Sequence, residues 1–138
     1  IFGDRNPEHA VHRLGVIPLE LTTTHHFLAS AILGYEFGIG VRSGCFCAHP
    51  YILHLLGLSH TEAARVRTDI MSGDRSNMPG LIRASFGLYN TLEEVDIFVD
   101  ALVRIARGDY QGKYHQDRTS GEYTPVGWEP AYTKYFSL

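Results

Sequence analysis

The stretch from Thr91 to Gly108 does most to narrow what this chain can fold into. Thr91 and Glu94 stand at capping-box spacing, where the hydroxyl bonds the N3 amide and the carboxylate reaches back to the cap. Leu92, Val95, Phe98, Val99, Leu102, Val103 and Ala106 recur at helical period and make one apolar face. Glu93, Glu94 and Asp96 fall in the first turns and Arg104 and Arg107 in the last, the signs that a helix dipole favours, and Gly108 ends the run. Directly upstream, Leu81-Ile82-Arg83-Ala84-Ser85-Phe86 reads as a buried strand interrupted by one arginine. A strand, a turn and a one-faced helix require a layer of sheet under a layer of helix.

The remaining segments extend that unit. Residues 13–22 read as a strand, with Pro18 marking an edge position. Thr24 is placed to cap a helix over 25–37, whose Phe27, Leu28, Ala31, Ile32 and Tyr35 are helically spaced and whose end is marked by Gly38. Ile39 to Arg42 predicts a short strand entering a Ser43-Gly44 turn, and Pro50 a short helix through Leu56. Ser59 and Glu62 form a second capping box, which predicts a helix over 60–72, and residues 73–80 are loop by composition. The order implies an α/β fold of the two-layer α+β kind. A small, mostly antiparallel sheet is expected from residues 13–22, 39–42 and 81–86, with the helices at 25–37 and 92–107 on one face. Residues 1–108 make up this domain. Residues 109–138 are instead crowded with Tyr110, Tyr114, Tyr123, Trp128, Tyr132, Tyr135 and Phe136. They read as an extended arm, expected to pack on a neighbouring chain or on the domain's own sheet.

Charge and cysteine usage exclude several classes. With 12 Lys+Arg against 15 Asp+Glu, the chain has little from which to build the basic face a nucleic-acid binder carries. No apolar run approaches the ~20 residues of a membrane span. Cys45 and Cys47 are too close in sequence for an easy structural disulfide, so a reducing, cytoplasmic setting is expected. His49 and His54 could join them around a metal, but a structural zinc needs four ligands and there is no second cysteine pair, so no metal is expected. Ile1-Phe2-Gly3-Asp4-Arg5 has neither an initiator Met nor a signal-peptide pattern and reads as a piece of something longer.

Two segments carry chemistry: Gly38-Ile39-Gly40-Val41-Arg42-Ser43-Gly44-Cys45-Phe46-Cys47-Ala48-His49-Pro50 and Ile82-Arg83-Ala84-Ser85-Phe86-Gly87-Leu88-Tyr89-Asn90-Thr91-Leu92-Glu93-Glu94-Val95-Asp96. Together, and in this order over residues 13–108, they resemble the C-terminal domain of class V aminotransferase-fold enzymes, most closely the cysteine desulfurase/selenocysteine lyase branch. The resemblance implies the small C-terminal domain of a fold-type I enzyme that uses pyridoxal phosphate and acts as a homodimer. It implies that Cys47, directly before Ala48, is the catalytic persulfide-forming thiol and that Arg83 holds the carboxylate of a small amino-acid substrate. The Schiff-base lysine of that family belongs to a large N-terminal domain. Lys113 and Lys134, the chain's two lysines, match no family motif, so this chain alone is expected to be inactive.

The residues also support these roles on their own chemistry. Arg83 sits in an apolar strand and must find an anionic partner, and its planar fork suits a carboxylate. Arg42 adds positive charge beside the cysteine loop, which suits a reactive thiol and anionic substrate binding. Other readings stay open. Cys47 can be a small buried hydrophobe, and Arg83 half of a structural ion pair. His49 and His54 read as structural and Asn90 as ordering the turn before the last helix. The branch usually carries two histidines where this chain has Cys45 and Phe46, and a helix is added between Gly57 and Leu81. Another aminotransferase, lyase or epimerase in which the cysteine is incidental therefore competes, as does a cofactor-free sulfur-carrier module.

Overall fold

The structure is a computed structural model and describes residues 1–12, 14–129, 131 and 134. After a 3-10 helix at Pro7–His12 come β1 (Val16–Leu19), α1 (His26–Phe37), β2 (Arg42–Gly44), α2 (His49–Leu55), α3 (His60–Met71), β3 (Leu81–Ser85), α4 (Leu92–Ala106), β4 (Tyr114–Gln116) and β5 (Tyr123–Pro125). Strand β3 is the centre of a three-stranded sheet ordered β1-β3-β2, antiparallel on both sides. The small α+β architecture expected from the sequence is the one adopted. Pro18 lies on edge strand β1, where a missing N–H disturbs one neighbour only.

Alternation along β3 decides what each face of the sheet does. Ile82 and Ala84 point toward the helices and share one cluster with Leu19, with Ala29, Ile32 and Leu33 of α1, and with Phe98, Ala101 and Ile105 of α4. Leu81 points the other way, into a second cluster with Cys45 and with Ile52 of α2, flanked by Phe2, Phe46 and Ala48. Arg83 follows Leu81 on that second face. So α1 and α4 do cover one face, while short α2 shields only the Leu81 end of the other and leaves the Arg83 end open.

Some boundaries, and the buried face of α4, depart from the sequence expectation. The strand expected at 39–42 lies instead at Arg42–Gly44, taking in the supposed Ser43-Gly44 turn, because pairing is set by Arg42, Ser43 and Gly44 opposite Arg83, Ile82 and Leu81. Ile39 is held back by its amide, which donates to the Leu33 carbonyl (2.9 Å) and closes the end of α1. Strand β1 is shorter than 13–22, and Arg13 lies outside the described residues. His25, not Thr24, holds the N-cap position of α1, without a side-chain cap bond, and Thr24 is tied into a bridge with Leu21. On α4 the buried line is Phe98, Ala101 and Ile105, while Leu92, Val99 and Val103 are exposed. The apolar residues of α4 span a wider arc than one sheet can cover.

Among the described residues of the aromatic arm, 114–125 form a hairpin that rests on α1 and the α3–β3 loop. Strands β4 and β5 pair around a turn in which the Asp117 carboxylate accepts from the Thr119 amide (2.8 Å) and Gly121 takes a left-handed φ of 82°. Glu36 of α1 anchors its base, accepting from the amides of Gln111 (3.0 Å) and Gly112 (2.9 Å) and from the Tyr114 hydroxyl (2.8 Å). Trp128 meets Tyr35 edge-on at 5.2 Å. Arg118 is paired with Asp74, and the Arg75 amide donates to the Arg118 carbonyl (2.8 Å), so the hairpin also fixes the loop before β3. Tyr132, Tyr135 and Phe136 of the arm lie outside the described residues.

Ile82 is fully buried at the centre of the main cluster. Ile82→Ala should therefore lower the unfolding free energy by about 2–5 kcal/mol, through lost burial and the cavity left behind. Urea titration checks this, and a loss below about 1 kcal/mol would mean that the sheet does not carry the core.

Candidate functional site

The open end of the second sheet face carries the two arginines that the sequence singled out. Arg42 and Arg83 are register partners across β2 and β3, so their side chains leave the sheet on the same side. Like charges placed directly opposite one another destabilise a sheet by about 0.2–1 kcal/mol. Neither arginine has a carboxylate within ion-pair distance among the described residues. The Arg83 Nε is buried without any hydrogen-bond partner, and its guanidinium lies over the Phe46 ring, 5.2 Å from the centroid. A half-buried guanidinium with an unanswered donor is a poor structural element and a good seat for a planar anion.

The β2–α2 loop leaves the sheet at the Leu81 end, where Cys45 packs, and turns so that the Phe46 ring lies under the Arg83 guanidinium. Its Ala48 amide donates to the Cys45 carbonyl (2.7 Å), closing a turn whose two central residues, Phe46 and Cys47, have φ of 51° and 62°. Positive φ at both central positions is the signature of a type I′ turn, which usually takes Asn and Gly there. With Phe and Cys the conformation costs about 1–3 kcal/mol per residue, the kind of strain found at functional loops. The turn leaves Cys47 exposed and Cys45 buried.

The two thiols thus differ in kind. Cys45 donates to the Pro79 carbonyl (3.1 Å), and burial pushes its pKa up, so it stays a protonated, structural thiol. Gly80, beside that carbonyl, has no room for a side chain: a Cβ there would fall 2.6 Å from the Gly44 Cα. Of the residues the sequence singled out, the structure sets Arg42 opposite Arg83 across the sheet and places Cys47 directly after Phe46, whose ring meets Arg83. His49 and His54 are exposed on α2. Among the described residues no three His, Cys, Asp or Glu side chains group as metal ligands. Asn90 accepts from the Gly87 amide (2.7 Å) and donates to Glu94 (3.0 Å), ordering the turn into α4.

Sequence reasoning missed His26. Its Nε2–H donates to the Met78 carbonyl (2.8 Å), fixing the loop next to Pro79, while its Nδ1 is buried without a partner. Its sequence signal is slight: a histidine in the first turn of an otherwise apolar helix. Burial, opposed by the Met78 bond and assisted by neighbouring His25, pushes its pKa from 6.5 down to about 4. The unfolded chain takes up this proton near pH 6.5 and the folded chain only near pH 4, so stability present at pH 7 is lost as pH falls between them, roughly 3 kcal/mol in all. Urea midpoints from pH 7 to pH 4 should fall more steeply in the parent than in His26→Gln. Parallel profiles would contradict the neutral buried imidazole.

Lys113 and Lys134 are both exposed, whereas a Schiff-base lysine must be desolvated in a pocket. No helix among the described residues is long and apolar enough to cross a membrane.

Comparison with known proteins shows the family. A cysteine desulfurase of Escherichia coli O8 (strain IAI1) is 34% identical over 107 residues, which is 78% of this chain and 20% of that protein. The cysteine desulfurase of Escherichia coli (strain K12 / DH10B) matches with the same identity and coverage. The chain thus spans about a fifth of the length of the curated relatives it matches. The model of the family described as aminotransferase class-V matches residues 4–98. The domain that carries Cys47 and Arg83 belongs to the aminotransferase class-V family.

Proposed function

We propose that this chain is the small domain of a cysteine desulfurase-like enzyme dependent on pyridoxal phosphate, supplying the sulfur-accepting thiol of Cys47 and the carboxylate-binding fork of Arg83. The observation that carries the reading is the pairing of Arg83, with its buried unpartnered Nε, and Arg42 beside the strained turn that exposes Cys47. Two cations side by side, without an ion-paired acid among the described residues, are arranged for an anion that arrives from outside. The α-carboxylate of an amino acid has the right charge and planarity. The 34% identity to cysteine desulfurases supports cysteine as that amino acid.

Pyridoxal phosphate, held by a larger domain outside this chain, supplies the electron sink of the reaction. In this chain, Arg83 and Arg42 hold the substrate carboxylate, and the Cys47 thiolate attacks the substrate sulfur. An S–S bond forms on Cys47 as the substrate C–S bond breaks, and protonation of the three-carbon remainder gives alanine. Exposure of Cys47 on a loop suits a thiol that must then hand its sulfur on. We place the enzyme in the cytoplasm as a homodimer.

The full-length protein should convert L-cysteine to alanine and sulfide in the presence of a reductant, and the isolated chain should not. Amino-acid turnover without sulfur release would favour the reading in which Cys47 is incidental.

A further inference from the structure

In the sequence Phe46 stands only as a departure from the family pattern, yet it touches both halves of the site. One face of its ring lies against the Arg83 guanidinium at 5.2 Å, and the side chain also packs against the cluster of Cys45, Ile52 and Leu81. Its backbone, at φ 51°, is the first of the two left-handed residues, and Cys47, at φ 62°, is the second. A guanidinium stacked on a ring is held in plane while its N–H edges remain free to meet an acceptor in that plane. A protonatable ring here would repel Arg83 and Arg42, and phenyl does not.

We propose that Phe46 is a positioning residue, an inference that rests on Arg83 as the carboxylate seat. Its ring sets the plane of the Arg83 fork and pins the left-handed turn that presents Cys47, so one side chain governs both substrate binding and thiol presentation. Loss of the aromatic face should therefore disturb two measurements at once, and another aromatic ring should restore both.

The test uses the full-length protein with pyridoxal phosphate. Phe46→Leu keeps apolar bulk but removes the ring face, and should raise KM for L-cysteine roughly tenfold with a smaller change in kcat. Iodoacetamide labelling of Cys47, measured in a Cys45→Ser background, should slow several-fold in Phe46→Leu as the turn relaxes. Phe46→Tyr should return both values to the parent's, and circular dichroism should show all variants folded. Parent-like KM and labelling in Phe46→Leu, or failure of Phe46→Tyr to rescue, would overturn the proposal. If the parent consumes no cysteine, the desulfurase reading fails by itself. Phe46 is then judged on labelling alone, where a parent-like rate in Phe46→Leu overturns it.

Discussion

Cys47→Ser in the full-length protein should abolish sulfur release from L-cysteine, with a fall of roughly a thousandfold or more, because removing a nucleophile leaves only binding and positioning behind. Cys45→Ser should leave most of the activity. Cys47 is exposed at the tip of a strained turn, whereas Cys45 is buried and donates to the Pro79 carbonyl with its pKa raised by burial. A buried, protonated thiol is a weak nucleophile. The Cys45 change should cost stability rather than catalysis, because it replaces a packed sulfur beside Leu81 and Ile52 with a more strongly solvated hydroxyl. If Cys45→Ser were the dead variant, or if both stayed active, the role assigned to Cys47 would be wrong.

Arg83→Met should separate catalysis from stability in the opposite sense. A structural arginine in a buried ion pair is lost at about 3–5 kcal/mol, since its partner is left charged and unanswered. Arg83 has no such partner among the described residues, its Nε is unsatisfied, and it faces Arg42 across the sheet. Replacement by an apolar side chain of similar length should therefore leave the unfolding midpoint unchanged or raised. The same change should lower kcat/KM for an amino-acid substrate by roughly a hundredfold, the size of a lost charge-assisted contact with a carboxylate. Arg83→Lys should recover little, because an ammonium keeps the charge but loses the fork. A marked loss of stability in Arg83→Met would identify the residue as structural.

How far the site can be read in the sequence depends on whether its cause is local. The α4 helix is legible because its determinants are neighbours: Thr91 and Glu94 form the capping box expected of them, and the apolar period lies within one element. Which apolar residues of α4 are buried is not legible, since the line of Phe98, Ala101 and Ile105 is chosen by the position of the sheet and α1. Strand β2 moved for the same reason. Ile39 and Val41 carry the β-branched character, but the partners available on β3 fall opposite Arg42, Ser43 and Gly44. The pairing of Arg42 with Arg83 follows from that register and has no signature in either segment alone. Nor does Phe46 announce its left-handed backbone, because nothing in its side chain asks for it. The hairpin differs: Asp117 to Gly121 has the composition of a turn, so its cause is local and legible.

The central claim is that sulfur from a bound amino acid arrives on Cys47. Full-length protein loaded with pyridoxal phosphate should be mixed with L-cysteine, quenched by alkylation without a reductant, digested and weighed peptide by peptide. The peptide containing Cys45 and Cys47 should gain the mass of one sulfur atom, fragmentation should place that atom on Cys47, and Arg83→Met should strongly suppress the gain. Extra sulfur on Cys45 instead, or none on either cysteine while the amino acid is consumed, would contradict the account.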